Sequence, residues 1–222
     1  MPARLGDIFY AKPEFELPEK VYILGSGPLG VDGYDRIDGY TIGLNKSVSA
    51  VPCDLWMSFA TGYLTHRAQW FRDLLDNDTT PRLFGTFPEN GAGLADRESC
   101  DWSFEYYPPW QHSGFLQVGV LKAATIAGAA IQLCYWFGAS EVYLCGVDMH
   151  GAYDFTGQAW YKGKNEPFPP KDKQPWSKDL EMIDEIIHAI RDGVTVYTLS
   201  PTALGKPIRT YKADPLPMGY VW

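Results

Sequence analysis

The sequence predicts one α/β domain built on a doubly wound, mainly parallel sheet with helices on both faces and a long lid-like loop. Three observations lead there. Short apolar runs recur without the strict alternation of a half-exposed strand, as a sheet covered on both faces requires. Helix-type segments separate those runs, the pattern of crossover connections between parallel strands. A chain of 222 residues with 45% hydrophobic side chains suits one core, so residues 1–222 are read as one domain.

Six runs are assigned as strands. Val21–Leu24 leads into Gly25-Ser26-Gly27, Thr41–Asn45 is second and Leu55–Phe59 third. Arg82–Thr86 is weaker, and Val142–Gly146 and Val194–Leu199 complete the set. Helices are expected at Tyr63–Leu75, Gly114–Phe137 and Ser177–Asp192. The last places Leu180, Ile183, Ile187 and Ile190 on one face, with Asp179, Glu181 and Asp184 turned outward. Glu89–Pro109 lacks periodicity and ends in Tyr-Tyr-Pro-Pro, so it reads as a loop. Residues 151–176 form the lid-like loop, rich towards its end in proline, lysine and aromatic residues; long loops of this kind often close over ligands. The Pro-rich tail 206–222 is expected to wrap the domain or meet a second copy in a homo-oligomer. The layout is Rossmann-like.

Composition narrows the function classes. A formal charge of −8 opposes non-specific nucleic-acid binding, which depends on Lys and Arg neutralising phosphates. The four cysteines have no C-x-x-C spacing, so neither a zinc site nor a disulfide framework is indicated and no metal site is expected. Phe115–Phe137 approaches membrane-spanning length, but Gln117, Lys122, Gln132 and its alanines suit a helix buried against a sheet, and no membrane contact is expected. The N-terminus lacks the layout of a signal peptide, which makes a reducing, cytoplasmic setting the expectation.

The chemistry-bearing residues gather at strand carboxyl ends, where open α/β sheets bind ligands. Gly25-Ser26-Gly27-Pro-Leu-Gly30 matches G-x-G-x-x-G after a strand, yet residues 31–40 hold further glycines and aspartates instead of a helix. The following strand ends in Asn45, where dinucleotide sites carry an acidic residue. The turn is therefore expected to offer backbone N–H groups to a phosphate or base without binding a dinucleotide. Asn45 offers a donor and an acceptor to a ribose or base edge. Ser113-Gly114 precedes the apolar helix, where Ser113 would cap a helix start able to hold phosphate. Gly146-Val-Asp148-Met-His150-Gly-Ala-Tyr153-Asp154 ends an apolar strand in polar groups: Asp148 for ribose hydroxyls, His150 and Tyr153 for phosphate. His112 adjoins the Ser-Gly turn.

This order resembles the bacterial CMP-sialic-acid-dependent sialyltransferases of the small, metal-independent, single-Rossmann-like type. It also resembles their distant relatives, the archaeal-type 6-hydroxymethylpterin diphosphokinases. The likeness spans about Val21–Asn45 and Gln111–Pro201, including Val196-Tyr-Thr-Leu-Ser-Pro201. It implies that Gly25, Ser26 and Gly27 lie against the nucleotide, Ser26 standing where the family has Asn. Asn45 would bind the donor, Ser113 and Gly114 would lie near its phosphate and ribose, and Asp148 would stand in the nucleotide pocket. His150 and Tyr153 fall where the family has two tyrosines on the phosphate. Two departures bear on catalysis: Trp176 stands where the family has its His base, and the Asn expected after the third strand is missing from Ser58–Thr61. Trp cannot abstract a proton, so the base would come from His150, His112 or Asp154.

The leading expectation is a nucleotide-sugar-dependent glycosyltransferase with Trp160 and Trp176 stacking on sugar or acceptor, the acceptor being a glycan or a modified base. It needs no cofactor beyond its donor. The alternatives are pyrophosphoryl or nucleotidyl transfer like that of the pterin diphosphokinases, which would need Mg²⁺, and a non-catalytic nucleotide-binding protein.

Overall fold

The computed structural model describes residues 3–4, 16–27, 34–59, 73–76, 79–86, 101–107, 120–122, 125–147, 176–200, 202 and 204. Their strands are β1 (Ala3–Arg4), β2 (Lys20–Leu24), β3 (Tyr40–Leu44), β4 (Leu55–Phe59) and β5 (Arg82–Thr86). β6 (Trp102–Tyr107), β7 (Val120–Lys122), β8 (Glu141–Cys145) and β9 (Thr195–Thr198) follow. They form one nine-stranded sheet in the order β1-β6-β5-β4-β3-β2-β8-β9, with β7 also pairing with β6. Every pairing is parallel. β1 pairs with Trp102 and Ser103, and β7 with Glu105–Tyr107, so the two share the β6 edge that β5 leaves open.

The chain steps outward from β2 through β3, β4 and β5 to β6, then returns to the other side of β2 as β8 and β9. The direction of winding therefore reverses between β2 and β8. In doubly wound sheets that reversal opens the ligand crevice beyond the strand carboxyl ends.

Helices α1 (Ile126–Trp136) and α2 (Trp176–Ile190) pack on each other and on one face of the sheet. Val21, Ile23, Ile42, Leu44, Leu55, Met57, Leu83, Val142, Leu144 and Val196 meet them there. α1 is buried from Ile126 to Cys134, which small residues such as Ala127, Gly128 and Ala130 permit. The opposite face buries Tyr22, Leu24, Cys145 and Leu199 beneath Tyr34, Ile37, Val51 and Cys53. Further along, Trp56 and Phe84 meet edge to face at 5.1 Å beneath Leu74 and Leu75 of a helical turn. Burial on both faces explains why these strands read as unbroken apolar runs. Among the described residues, no helix is long and apolar enough to cross a membrane.

Four expectations change. The segment read as a loop contains β6, because Pro108-Pro109 suggested a turn where a strand has just ended. The helix expected from Gly114 starts at Ile126: β7 occupies Val120–Lys122, and Thr125 caps the helix by accepting a hydrogen bond from the Gly128 N–H at 3.1 Å. Trp176, expected in the lid-like loop, is the first residue of α2. Asp184, expected outside, is buried, because α2 is covered by α1 as well as by the sheet. Residues 151–175 and 206–222, including the remaining lid-like loop and the tail, lie outside the described residues.

Two glycines with different duties make a stability comparison. Gly138 follows α1 with φ +87°, where the Ala139 N–H reaches the Cys134 carbonyl and the Gly138 N–H that of Tyr135. This left-handed helix end leaves open space around a side chain. Gly25 follows β2 alongside β8, and a Cβ there would stand 2.2 Å from the Gly146 carbonyl oxygen. Chemical denaturation is expected to show a loss of about 1 kcal/mol for Gly138→Ala and of about 3 kcal/mol for Gly25→Ala. Equal losses would mean that the close approach of β2 and β8 yields easily.

A second expectation concerns alkaline pH. Burial pushes the Tyr40 phenol up to about 12, aided by the nearby Asp54 carboxylate. Burial, then a hydrogen bond to Glu141, does the same for Tyr143. The unfolded chain loses these protons near pH 10, so stability is full below that and falls between about pH 10 and 12. Denaturation midpoints across this range should drop less steeply for Tyr40→Phe than for the native protein.

Candidate functional site

At the reversal point two glycine-bearing strand ends close on each other. The Gly25 N–H donates to the Cys145 carbonyl at 2.7 Å, and the Gly27 N–H to that of Gly146 at 2.8 Å. Gly146 has φ +71°, and a Cβ there would come within 2.7 Å of the Gly25 carbonyl oxygen. Tyr34 Oη donates to that same carbonyl at 3.3 Å. The turn expected to hold out free N–H groups therefore spends those of Gly25 and Gly27 on β8. Gly25, Ser26 and Gly27 are all buried. The glycines serve the close approach of the two strand ends.

Side-chain hydroxyls tie the neighbouring ends together. Ser26 Oγ donates to the Leu44 carbonyl at 3.3 Å, and Ser47 Oγ to the Leu24 carbonyl at 2.7 Å. Asn45 leaves β3 in the left-handed region at φ 53°, which asparagine tolerates better than most residues, and opens a 3-10 helix, Asn45–Ser49. Its Oδ1 accepts from Ser58 Oγ at 2.8 Å. Ser58 is fully buried, so its proton needs an acceptor, and Asn45 Oδ1 meets that need. This fixes the amide oxygen, and the residue is half-exposed, with Nδ2 carrying the amide's two donors.

The β8 end is held from the other side. Ser200 Oγ accepts from the Gly146 N–H at 2.8 Å, and Thr202 Oγ1 donates to the Val147 carbonyl at 2.6 Å. Ser47, Ser58, Ser200 and Thr202 were not anticipated. Their signal was faint: single small hydroxyls at the ends of otherwise apolar strands.

Of the anticipated residues, the fold brings together Gly25, Ser26, Gly27 and Asn45 at adjoining strand ends. Asp148 follows Val147 directly in sequence but lies outside the described residues, as do His112, Ser113, Gly114, His150, Tyr153, Asp154 and Trp160. The role expected of Ser113 as cap of the long apolar helix belongs to Thr125. Among the described residues, no group of three or more His, Cys, Asp or Glu side chains could hold a metal ion. The arrangement sets the half-exposed Asn45 amide at the carboxyl end of β3, next to the closed ends of β2 and β8.

No family model matches the sequence, and no curated protein does either. Solved structures do match. The sialyltransferase Cst-II, as a point variant in complex with CMP, covers 91% of this chain and 89% of its own at 13% identity and a TM-score of 0.53. CstII from Campylobacter jejuni with the substrate analogue CMP-3FNeuAc covers 89% and 86% at 12% identity, with a TM-score of 0.48. At these identities the likeness is one of architecture: the chain has a distant sialyltransferase-like α/β fold.

Proposed function

We propose that the protein is a nucleotide-sugar-dependent glycosyltransferase that holds a cytidine-type donor at the carboxyl ends of β2, β3 and β8. The observation that carries this reading is Asn45, half-exposed at the carboxyl end of β3 with its amide oxygen held by Ser58, so that its Nδ2 donors serve a ligand, in a fold like that of a CMP-complexed sialyltransferase. Those donors suit a ribose oxygen or a pyrimidine carbonyl. Gly25, Ser26 and Gly27 form the floor beside the base. Asp148 accepts the ribose hydroxyls, and His150 and Tyr153 donate to the phosphate as it leaves. Ser113 and Gly114 lie near the phosphate and ribose.

In the reaction, an acceptor hydroxyl oxygen bonds to the sugar's anomeric carbon while the bond from that carbon to the phosphate oxygen breaks. The nucleoside monophosphate departs with the electron pair. Hydrogen bonds to its phosphate, strongest as charge develops, lower the barrier. The acceptor's proton passes to a base, which Trp176 cannot be, so His150, His112 or Asp154 takes it. Trp160 and Trp176 stack on the sugar or acceptor.

The test begins with thermal melts and titration calorimetry against CMP, UMP, GDP, ADP and their sugar conjugates. A cytidine nucleotide should stabilise the protein most; stabilisation by none would sink the reading. Asn45→Asp keeps an acceptor for Ser58 but replaces the Nδ2 donors with an anionic oxygen. It should leave the melting temperature of the free protein nearly unchanged and weaken CMP binding by about tenfold or more, the loss of one good ligand hydrogen bond.

Turnover is read as release of nucleoside monophosphate from sugar conjugates, with and without EDTA. His150→Ala is expected to lower it at least about 100-fold, as loss of proton transfer or phosphate stabilisation does, while CMP affinity changes less. Equal turnover would return His150 to a structural role.

A further inference from the structure

Beyond Leu199, β9 stops pairing with β8 through its backbone and continues through side chains. The Leu199 N–H makes a ladder bond to the Leu144 carbonyl at 2.7 Å. At Gly146 the chain turns left-handed, φ +71°, and its N–H and the carbonyl of Val147 lose any strand partner of the regular kind. Ser200 and Thr202 meet them. Ser200 Oγ takes the Gly146 N–H at 2.8 Å, and Thr202 Oγ1 gives its proton to the Val147 carbonyl at 2.6 Å. The Leu204 N–H donates to Thr202 Oγ1 at 3.2 Å, so that hydroxyl both gives and receives. Ser200 is 2% exposed and Thr202 4%, so water does not compete freely for either bond. On the opposite side, the Gly27 N–H holds the Gly146 carbonyl at 2.8 Å.

Gly146 is thus fixed at its N–H, its carbonyl and its φ, and Val147 at its carbonyl. A backbone held at so many points leaves β8 in one direction. Buried backbone groups left without partners would instead pull the segment towards other arrangements. We infer that Ser200 and Thr202 are positioning residues for nucleotide binding: they touch no reacting atom, but set how the chain exits β8 beside the crevice. This rests on the nucleotide-binding reading above. It adds that the affinity of the crevice is set partly from the segment after β9, by two hydroxyls behind β8.

Thr198 supplies the control. It lies on β9, is 2% exposed, and its Oγ1 has no hydrogen-bond partner among the described residues. Removing that hydroxyl tests burial and strand packing without touching the β8 exit. The experiment measures CMP affinity by calorimetry and amide exchange at Gly146 by NMR, for Ser200→Ala, Thr202→Val, Thr202→Ser and Thr198→Val in the full chain.

Ser200→Ala and Thr202→Val should each weaken CMP binding by about tenfold, the scale of one mispositioned hydrogen bond. Ser200→Ala should also speed Gly146 exchange selectively. Thr202→Ser, which restores the hydroxyl, and Thr198→Val should bind as the native protein does. Native affinity in both Ser200→Ala and Thr202→Val would overturn the inference while leaving the parent reading intact. So would an equal loss in Thr198→Val, which would mark a general effect of the strand. A native protein that binds no nucleotide overturns the parent reading and this one with it. Should Thr202→Val fail to fold, Ser200→Ala alone decides, because it removes one acceptor atom and adds no bulk.

Discussion

The Gly146 carbonyl occupies the space that any side chain on Gly25 would need, and much of the site follows from that contact. It lets β2 and β8 run side by side to their last residues, with Leu24 opposite Cys145. It also fixes the fate of the turn's N–H groups. When parallel strands converge this closely, the amides of Gly25 and Gly27 bond to β8 before any ligand arrives. A glycine turn after a strand is usually read as a cradle for phosphate. Here it is a seam between strands.

The middle of the strands and their carboxyl ends are built from different chemistry. Midway along the strands, Tyr22, Tyr143 and Tyr197 stand in register on β2, β8 and β9, stacked at 5.0 and 4.7 Å. Lys20 lies over the first two rings and pairs with Asp38 at 2.6 Å. That hydrogen bond raises the Lys20 ammonium and holds the Asp38 carboxyl below its ordinary range. At the carboxyl ends the described ties are neutral: Ser26, Ser47, Ser58, Ser200, Thr202 and the Asn45 amide. Neutral hydroxyls can be buried once hydrogen-bonded, whereas a buried charge needs a partner close by.

The sheet's centre was readable because β2, β3, β4 and β8 are buried on both faces and carry unbroken apolar residues. β6 was not. Trp102-Ser-Phe-Glu-Tyr-Tyr107 mixes polar and aromatic residues and runs into two prolines, so local sequence favours a turn over a strand. β7 was hidden inside a run apolar enough for either element, and periodicity cannot separate a short buried strand from a buried helix. The true start of α1 depends on one hydrogen bond, from Gly128 to Thr125, which any Ser or Thr upstream could have offered. Asn45 was legible as a polar strand end. Its fixed amide was not, because Ser58 lies on another strand and reaches it only after β3 and β4 pair.

The sequence by itself determined the α/β class, the inner strands, α2 to within two residues of its ends and the gathering of polar groups at strand carboxyl ends. These rest on local pattern: apolar period, glycine placement and strand-to-helix alternation. Only the tertiary structure decided which backbone donors are already spent on neighbouring strands. That outcome depends on which strands become neighbours, since Gly25 and Gly146 meet across more than half the chain. Ser200 and Thr202 reach β8 only because β9 lies at its edge. A hydrogen bond can be counted as spent only when its partner is in place, and strand order puts it there.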